Sequence, residues 1–237
     1  MSLQTSAEMS AYDYIKKNEE LTKGFTGFSV ELSMETIKNS KKYNRKANIV
    51  SREGDDTDGE KNLLEFLQPK KLKGTKFLSH AKHHKKNNQW IYLPKTKRIR
   101  KIIEKSGDIS FFGTEFSYND ILPKAIDYFE YKFTENSEIE IPQDKVLITR
   151  YSDDVVEDIV IDKTTFLIEK IYFHKHGKIN KVLEVESYIL IDDKWNMPET
   201  AIMINNINHN KTVVNYKNYD FSIEVPVEKF NKSALTY

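Results

Sequence analysis

The feature that most constrains this chain is a hydrophobic alternation of period two, which recurs along most of its length between short polar turns. Phe28, Val30, Leu32 and Met34 alternate with Ser29, Glu31, Ser33 and Glu35, the pattern of a strand with one buried and one wet face. Leu183, Val185, Ile189 and Ile191 share one parity, and Phe129, Tyr131 and Phe133 share another within residues 127–134. Further strand-like runs span residues 43–52, 62–67, 75–81, 89–93, 145–151, 157–161, 166–174, 200–207 and 212–221. Gly, Asn, Asp, Ser and Lys punctuate them, as at 54–59, 85–88, 136–137, 152–154, 176–177 and 208–211. Strands joined by such turns are antiparallel neighbours, and few segments between them are long enough for a parallel crossover. About ten or more strands make a sheet that twist curls into a barrel or half-barrel. The expected fold is therefore mainly β (α+β), a curved antiparallel half-barrel.

Helical signals are few. Residues 6–23 carry Met9, Tyr12, Ile15 and Leu21 at helical spacing before Gly24. Ser117 with Asp120 three residues on gives a capping-box pattern, and Pro226 opens a C-terminal turn. These predict an N-terminal helix and short helices covering the mouth of the sheet. Residues 6–237 read as one domain. Met1-Ser2-Leu3-Gln4-Thr5 reads as an engineered start, with neither the apolar stretch of an export signal nor a lipobox cysteine.

Composition excludes several classes. A charged fraction of 31% and a mean hydropathy of -0.63 exclude a membrane-integral protein. A net charge of only +1 means that nucleic-acid binding would need a segregated basic face. The absence of cysteine removes disulfides, thiolate nucleophiles and cysteine-ligated zinc. There is no Gly-x-Ser-x-Gly elbow, no Gly-rich phosphate loop and no His-Glu-x-x-His pair, so no enzyme is expected.

Four weaker kinds of constellation have more than one reading. Residues 54–59 with Glu65 resemble part of a calcium loop, but Gly54 stands at the first ligand position and both flanks are strand-like; a solvated hairpin turn accounts for them. His80, His83 and His84, and separately His174 and His176, could meet a metal or face solvent; neither set has a carboxylate at ligand spacing, and no metal is expected. Asp153-Asp154 and Asp192-Asp193 have turn-like contexts that hydration explains. The basic run Lys95, Lys97, Arg98, Arg100 and Lys101 could meet phosphates, with Trp90 and Tyr92 as a stacking surface. It could equally be a wet strand face paired with acids, or contact lipid headgroups or a membrane protein.

The middle of the chain is more specific. Four ordered blocks, 69–78 (PKKLKGTKFL), 90–94 (WIYLP), 97–102 (KRIRKI) and 110–120 (SFFGTEFSYND), resemble the bacterial outer-membrane lipoprotein-sorting protein family, LolA/LolB-like carriers of lipoproteins or lipids. The blocks lie within residues 67–122; beyond them the likeness is one of pattern. Phe112 replaces the usual methionine and Lys101 a usual arginine, which loses a forked contact. The resemblance implies a single LolA-like domain with helices over the concave face and an apolar cavity. It also implies export to the periplasm, no cofactor, and a lipid or acylated lipoprotein as partner delivered to or from the outer membrane. An inner-membrane, lipid-exporting transporter that the chain docks is the alternative partner. A monomer is expected.

On that reading, Phe28, Val30, Leu32, Met34, Leu183, Val185 and Ile189, with Trp90, Tyr92, Phe111 and Phe112, are candidate cavity lining. Arg98 and Arg100 are candidate contacts for headgroups or a partner. The plain alternative is a core filled by the N-terminal helix. The segment from Phe111 to Ile121 would serve as a lid, or Phe111 and Phe112 as core plugs beside a positive-φ Gly113.

Overall fold

The alternating runs become strands of one sheet. The computed structural model describes residues 8–54, 59–82, 87–103, 108–121, 125–135, 138–152 and 155–236. The strands are β1 (Gly27–Lys38), β2 (Lys41–Arg52), β3 (Lys61–Gln68), β4 (Lys76–His80), β5 (Asn88–Leu93), β6 (Arg98–Ile102) and β7 (Glu130–Phe133), followed by β8 (Lys145–Ser152), β9 (Val155–Asp162), β10 (Ile168–Lys175), β11 (Lys178–Ile191), β12 (Trp195–Asn205) and β13 (Lys211–Asp220). All thirteen join one sheet in the order β6-β5-β4-β3-β2-β1-β13-β12-β11-β10-β9-β8-β7. Every strand pairing is antiparallel. The first and last strands by sequence, β1 and β13, meet in the middle, so the sheet is curved and unclosed, a half-barrel. The β1–β2 turn places Asn39 and Ser40 at positive φ, the twist that a two-residue connection requires, and the three-residue β11–β12 turn does the same at Asp192 and Asp193.

One helix precedes the sheet. α1 (Ala11–Thr22) starts one turn later than the spacing predicts, because Ser10 caps it: the Ser10 hydroxyl accepts from Asp13 N at 3.2 Å and Asp13 Oδ2 accepts from Ser10 N at 2.8 Å. Its buried face is Ala11 and Ile15 with Tyr14 alongside, packed on Ile148, Ile159 and Ile161, whereas Tyr12 is 42% exposed. The face bearing α1 is called inner below.

Strand parity divides the remaining core. Phe28, Val30, Leu32 and Met34 of β1 join Ala47, Leu64, Phe66, Phe77, Ile91, Met203 and Val214 on the inner face. On the outer face Leu78 and Val225 pack with Phe230 and Leu235, and Trp90, Tyr92, Leu63 and Val50 lie against them. The C-terminal 3-10 turns at Val227–Phe230 and Lys232–Thr236 therefore cover the outer side of β3–β6 rather than the face that bears α1. Residues 127 and 128, read as part of a strand from the alternation of 127–134, belong to a 3-10 turn, Ile126–Tyr128, before β7, and β10 starts at Ile168 because Phe166 takes a positive φ in the preceding turn.

Phe66 is fully buried between Phe111 and Phe112, at ring distances of 5.9 and 4.7 Å. Phe66→Ala is expected to cost about 3–5 kcal/mol in urea unfolding, against about 1 kcal/mol for the exposed cap variant Ser10→Ala. Equal losses would show that the inner core is not what stabilises the sheet.

Candidate functional site

The candidate site is the inner face, and its character follows from what covers it. Over β1–β6 the cover is the segment 110–121, which folds back on itself: Phe111 N donates to Phe116 O at 2.7 Å, and Ser110 bridges Ser117. The capping pattern is realised, with Ser117 N donating to Asp120 Oδ2 at 2.6 Å and Asp120 N to Ser117 Oγ at 3.3 Å. Phe111, Phe116 and Tyr118 are buried, and Phe111 meets Phe77 at 5.3 Å and Tyr118 at 5.2 Å. Phe111 is thus a core plug, while Phe112, at φ 48, is half-buried beside it.

Polar side chains hold this plug to the sheet. Arg45, buried on β2, donates from Nε to Phe112 O at 3.0 Å and from Nη1 to Thr36 Oγ1 at 3.2 Å and Tyr43 O at 3.3 Å. Burial lowers its guanidinium pKa from the ordinary value. Gly113, at φ +80, is needed twice: for its backbone, and because a Cβ there would stand 3.0 Å from Arg45 Nη2. Glu115 N donates to Thr212 Oγ1 at 2.9 Å, and the Glu115 carboxylate takes Asn205 Nδ2 at 2.9 Å and Lys38 Nζ at 2.8 Å. Lys181 pairs with Asp120. Spacing did not predict this latch, because its members come from five distant segments.

Over β8–β10 the cover is α1, tethered at its far end. Trp195 Nε1 donates to Lys23 O at 3.1 Å, and Lys23 pairs with Glu60. Burial would push the Glu60 carboxyl up, yet the Lys23 charge and the hydrogen bonds from Lys23, Asn62 and Ser51 hold it below the usual range. Between the two covers, Ile171, Leu183, Tyr216, Tyr219 and Trp195 are only half-buried against the core. Tyr219 donates to Pro198 O and Tyr188 to Ile168 O, each at 2.7 Å. The Tyr216 hydroxyl has no hydrogen-bond partner among the described residues, and burial pushes its phenol up to about 12. The Tyr188 and Tyr219 phenols are raised for the same reason. This strip is apolar, with one unmatched hydroxyl.

The structure brings together part of the expected lining. Phe28, Val30, Leu32, Met34, Phe111 and Phe112 share one cluster, with Leu183 beside it. Val185, half-buried, pairs opposite Ala201 on the same strip. Register shifts around Ser187 compensate, so Ile189 keeps the parity of Leu183 and Val185 and pairs opposite inner-face Met197, but it is 38% exposed near the end of the strand. Trp90 and Tyr92 lie on the other side of the sheet: Trp90 pairs with Leu78 and packs beneath the C-terminal turns, whereas Ile91 faces inward opposite Phe77. Arg98 and Arg100 are exposed on edge strand β6, opposite Leu93 and Ile91.

Other candidates resolve differently. Glu65 pairs opposite Asn48 in the β2–β3 ladder, and Asp55 to Asp58 lie outside the described residues. His80 Nε2 lies 2.8 Å from Phe230 O, while His83, His84, Asp153 and Asp154 lie outside the described residues. His174 does have a carboxylate neighbour that spacing missed, because register brings Asp158 across the sheet to 2.7 Å from its Nε2. Thr149 donates to the same carboxylate at 2.7 Å, and both line an outer groove of about 1140 Å³ with Lys132, Glu135 and Glu138. Phe133, Ile139, Val156 and Ile179 line it as well, so its wall is mixed apolar and charged. Among the described residues no three metal-binding side chains converge.

The model of a protein family described as "uncharacterized protein" matches residues 58–237. No curated protein matches the chain. Among solved structures, a proposed outer membrane lipoprotein-sorting protein domain from Vibrio parahaemolyticus is 23% identical with a TM-score of 0.88, over 96% of this chain and 98% of that one. A DUF1329 family protein from Desulfovibrio piger is 20% identical with a TM-score of 0.85, over 95% and 97%. A LolA superfamily protein from Nitrosomonas europaea is 15% identical with a TM-score of 0.74, over 96% and 100%. The likeness in fold therefore runs through both covers and all of the sheet.

The raised phenols make alkaline stability a probe of the strip. Tyr216 ionises near its ordinary value, about 10, in the unfolded chain, but higher in the folded one. Its contribution is therefore complete below about pH 10 and is lost as pH rises beyond that. Urea unfolding followed from about pH 8 to about pH 11.5 should fall more steeply for the wild type than for Tyr216→Phe, by up to about 1.4 kcal/mol per pH unit above pH 10. Parallel curves would place Tyr216 in water.

Proposed function

Because the chain belongs to the protein family whose model spans residues 58–237 and has the half-barrel fold of the lipoprotein-sorting and LolA superfamily structures, we propose that it is a non-enzymatic carrier of a lipid or of lipoprotein acyl chains. Its place of work on this reading is the periplasm, where it takes cargo to or from the outer membrane. The observation that carries the proposal is the chemistry of the plug. An apolar inner face is covered by a segment tied on through side chains of the sheet, which reach its own backbone at Phe112 O and Glu115 N, and not by strand pairing. Such a segment can leave without breaking the ladder of the sheet.

The exchange is energetically matched. Each methylene removed from water is worth roughly 0.8 kcal/mol, so a chain of about sixteen carbons gains on the order of 10 kcal/mol from an apolar wall. Phe111, Phe112, Phe116 and Tyr118 cover that wall when no cargo is present, and an acyl chain takes their place against Leu32, Met34 and Leu64. Entry proceeds from the half-buried strip at Leu183, Tyr216 and Tyr219, between plug and helix. The polar latch at Arg45, Glu115 and Asp120 keeps the empty form closed.

Native mass spectrometry of protein purified from its own host tests this. Acyl-bearing species should accompany the wild type and be lost from Leu32→Asp and Leu183→Asp, with unfolding midpoints reported alongside. Glu115→Ala combined with Lys181→Ala should raise uptake of an apolar fluorophore several-fold by loosening the plug. Absence of acyl species from both the wild type and the latch variant would remove the carrier proposal.

A further inference from the structure

The chain's charge is nearly balanced in total and strongly segregated in space. Antiparallel register gathers the turns of β1–β2, β3–β4 and β5–β6 at one end of the sheet: Lys38 pairs with Lys41, Lys46 with Gln68, Lys76 with Tyr92 and Leu93 with Arg98. Pro94 approaches to 3.6 Å of where a Gly74 Cβ would stand, so the second and third turns touch. At this end β2 exposes Lys41, Lys42 and Lys46, and the β3–β4 turn exposes Lys70, Lys71 and Lys73. The β5–β6 turn adds Lys95 and Lys97, and β6 adds Arg98, Arg100 and Lys101, all exposed.

Acidic residues offset few of them. Segments 69–76 and 94–101 contain no Asp or Glu, and neither does β2. The nearby carboxylates are already engaged, Glu115 with Lys38 and Glu35 with Lys42 at 3.0 Å. The opposite end carries exposed acids instead, Asp192 and Asp193 at the β11–β12 turn and Glu224 after β13. The β1–β6 half of the sheet thus presents an excess of positive charge at one end, which orients it in the field of an anionic surface. Exposed apolar side chains stand at the basic end as well: Ile207 at the β12–β13 turn, 76% exposed, with Tyr43 and Leu67 at 45% and 40%.

We infer that this basic end docks onto an anionic lipid bilayer, its lysines over the headgroups and Ile207, Tyr43 and Leu67 at the acyl boundary. The composition selects the partner. Lysine is depleted from protein–protein interfaces, where arginine is enriched, and a flexible ammonium needs no fork geometry to meet diffuse charge. Each basic residue near such a surface contributes attraction that adds over many contacts, and apolar side chains among them insert. Single-stranded nucleic acid would use an aromatic platform beside the cations, but Trp90 and Tyr92 lie beneath Phe230 and Leu235. The inference rests on charge placement and does not require the inner face to hold an acyl chain.

Flotation of the full chain with phosphatidylcholine vesicles, with and without about one-third phosphatidylglycerol, tests it. Binding should appear only with the anionic vesicles and fade at high salt. The combined reversal Lys71→Glu, Lys73→Glu, Lys97→Glu and Arg98→Glu should weaken it by more than about tenfold, and Ile207→Ser by a few-fold. Reversal of exposed Lys163 and Lys229, at the other end, should leave it unchanged, with thermal unfolding confirming that each variant is folded. Equal binding to neutral vesicles, or anionic binding indifferent to the four reversals, overturns the inference. So does tighter binding to single-stranded DNA than to the anionic vesicles.

Discussion

An open sheet with an apolar inner face is the constraint on which the rest of this structure depends. A closed barrel would bury that face against itself, but here β6 and β7 remain edges and the inner surface must be covered by other parts of the chain. Packing of Phe111 and Phe112 onto Phe66 and Phe77 provides half of that cover, and Ile15 on Ile148, Ile159 and Ile161 provides the other half. Without them several hundred square ångströms of Leu, Met and Phe would meet water, more than a soluble monomer ordinarily exposes.

The two covers differ in chemistry, and the difference bears on how the molecule works. α1 seats aliphatic side chains on the sheet and is tied down by the buried Lys23–Glu60 pair and by Trp195. The plug instead combines aromatic burial with a ring of polar contacts from Arg45, Thr212, Asn205, Lys38 and Lys181. Aromatic burial is non-directional and an acyl chain can replace it, whereas the polar contacts register the empty position. Arg45 has oxygen acceptors but no carboxylate among its hydrogen-bond partners, so its charge is carried by the plug's own backbone and by β1 and β2. The plug and the charge of the basic end are thereby neighbours in the fold.

The outer face has a separate logic. Its core is closed by Phe230 and Leu235 over β3–β5, and further along the sheet it holds mutually bonded polar groups, including the Thr149–Asp158–His174 chain. Apolar and polar functions are therefore assigned to opposite sides of the same strands, which antiparallel alternation permits at every second residue.

The strands themselves were legible because alternation and turn chemistry are local, and the cap at Ser117 and Asp120 was legible for the same reason. The basic run was also legible as a run, but not as one end of a charge-segregated sheet, since that grouping needs the register of six strands. Trp90 and Tyr92 could not be assigned to a face, because alternation sorts one strand into two parities without saying how parities match between strands; pairing of Trp90 with Leu78 decided it. The exposure of Ile189, which shares the parity of Leu183, depends on what covers that end of β11 and leaves no compositional trace. Sequence by itself determined that this chain is a curling antiparallel sheet with one early helix, because those preferences act over a few residues. Only the tertiary structure decided that the inner face is filled by an aromatic plug on a polar latch, because the Arg45, Glu115, Lys181, Asn205 and Thr212 contacts join residues that only folding brings within hydrogen-bond reach.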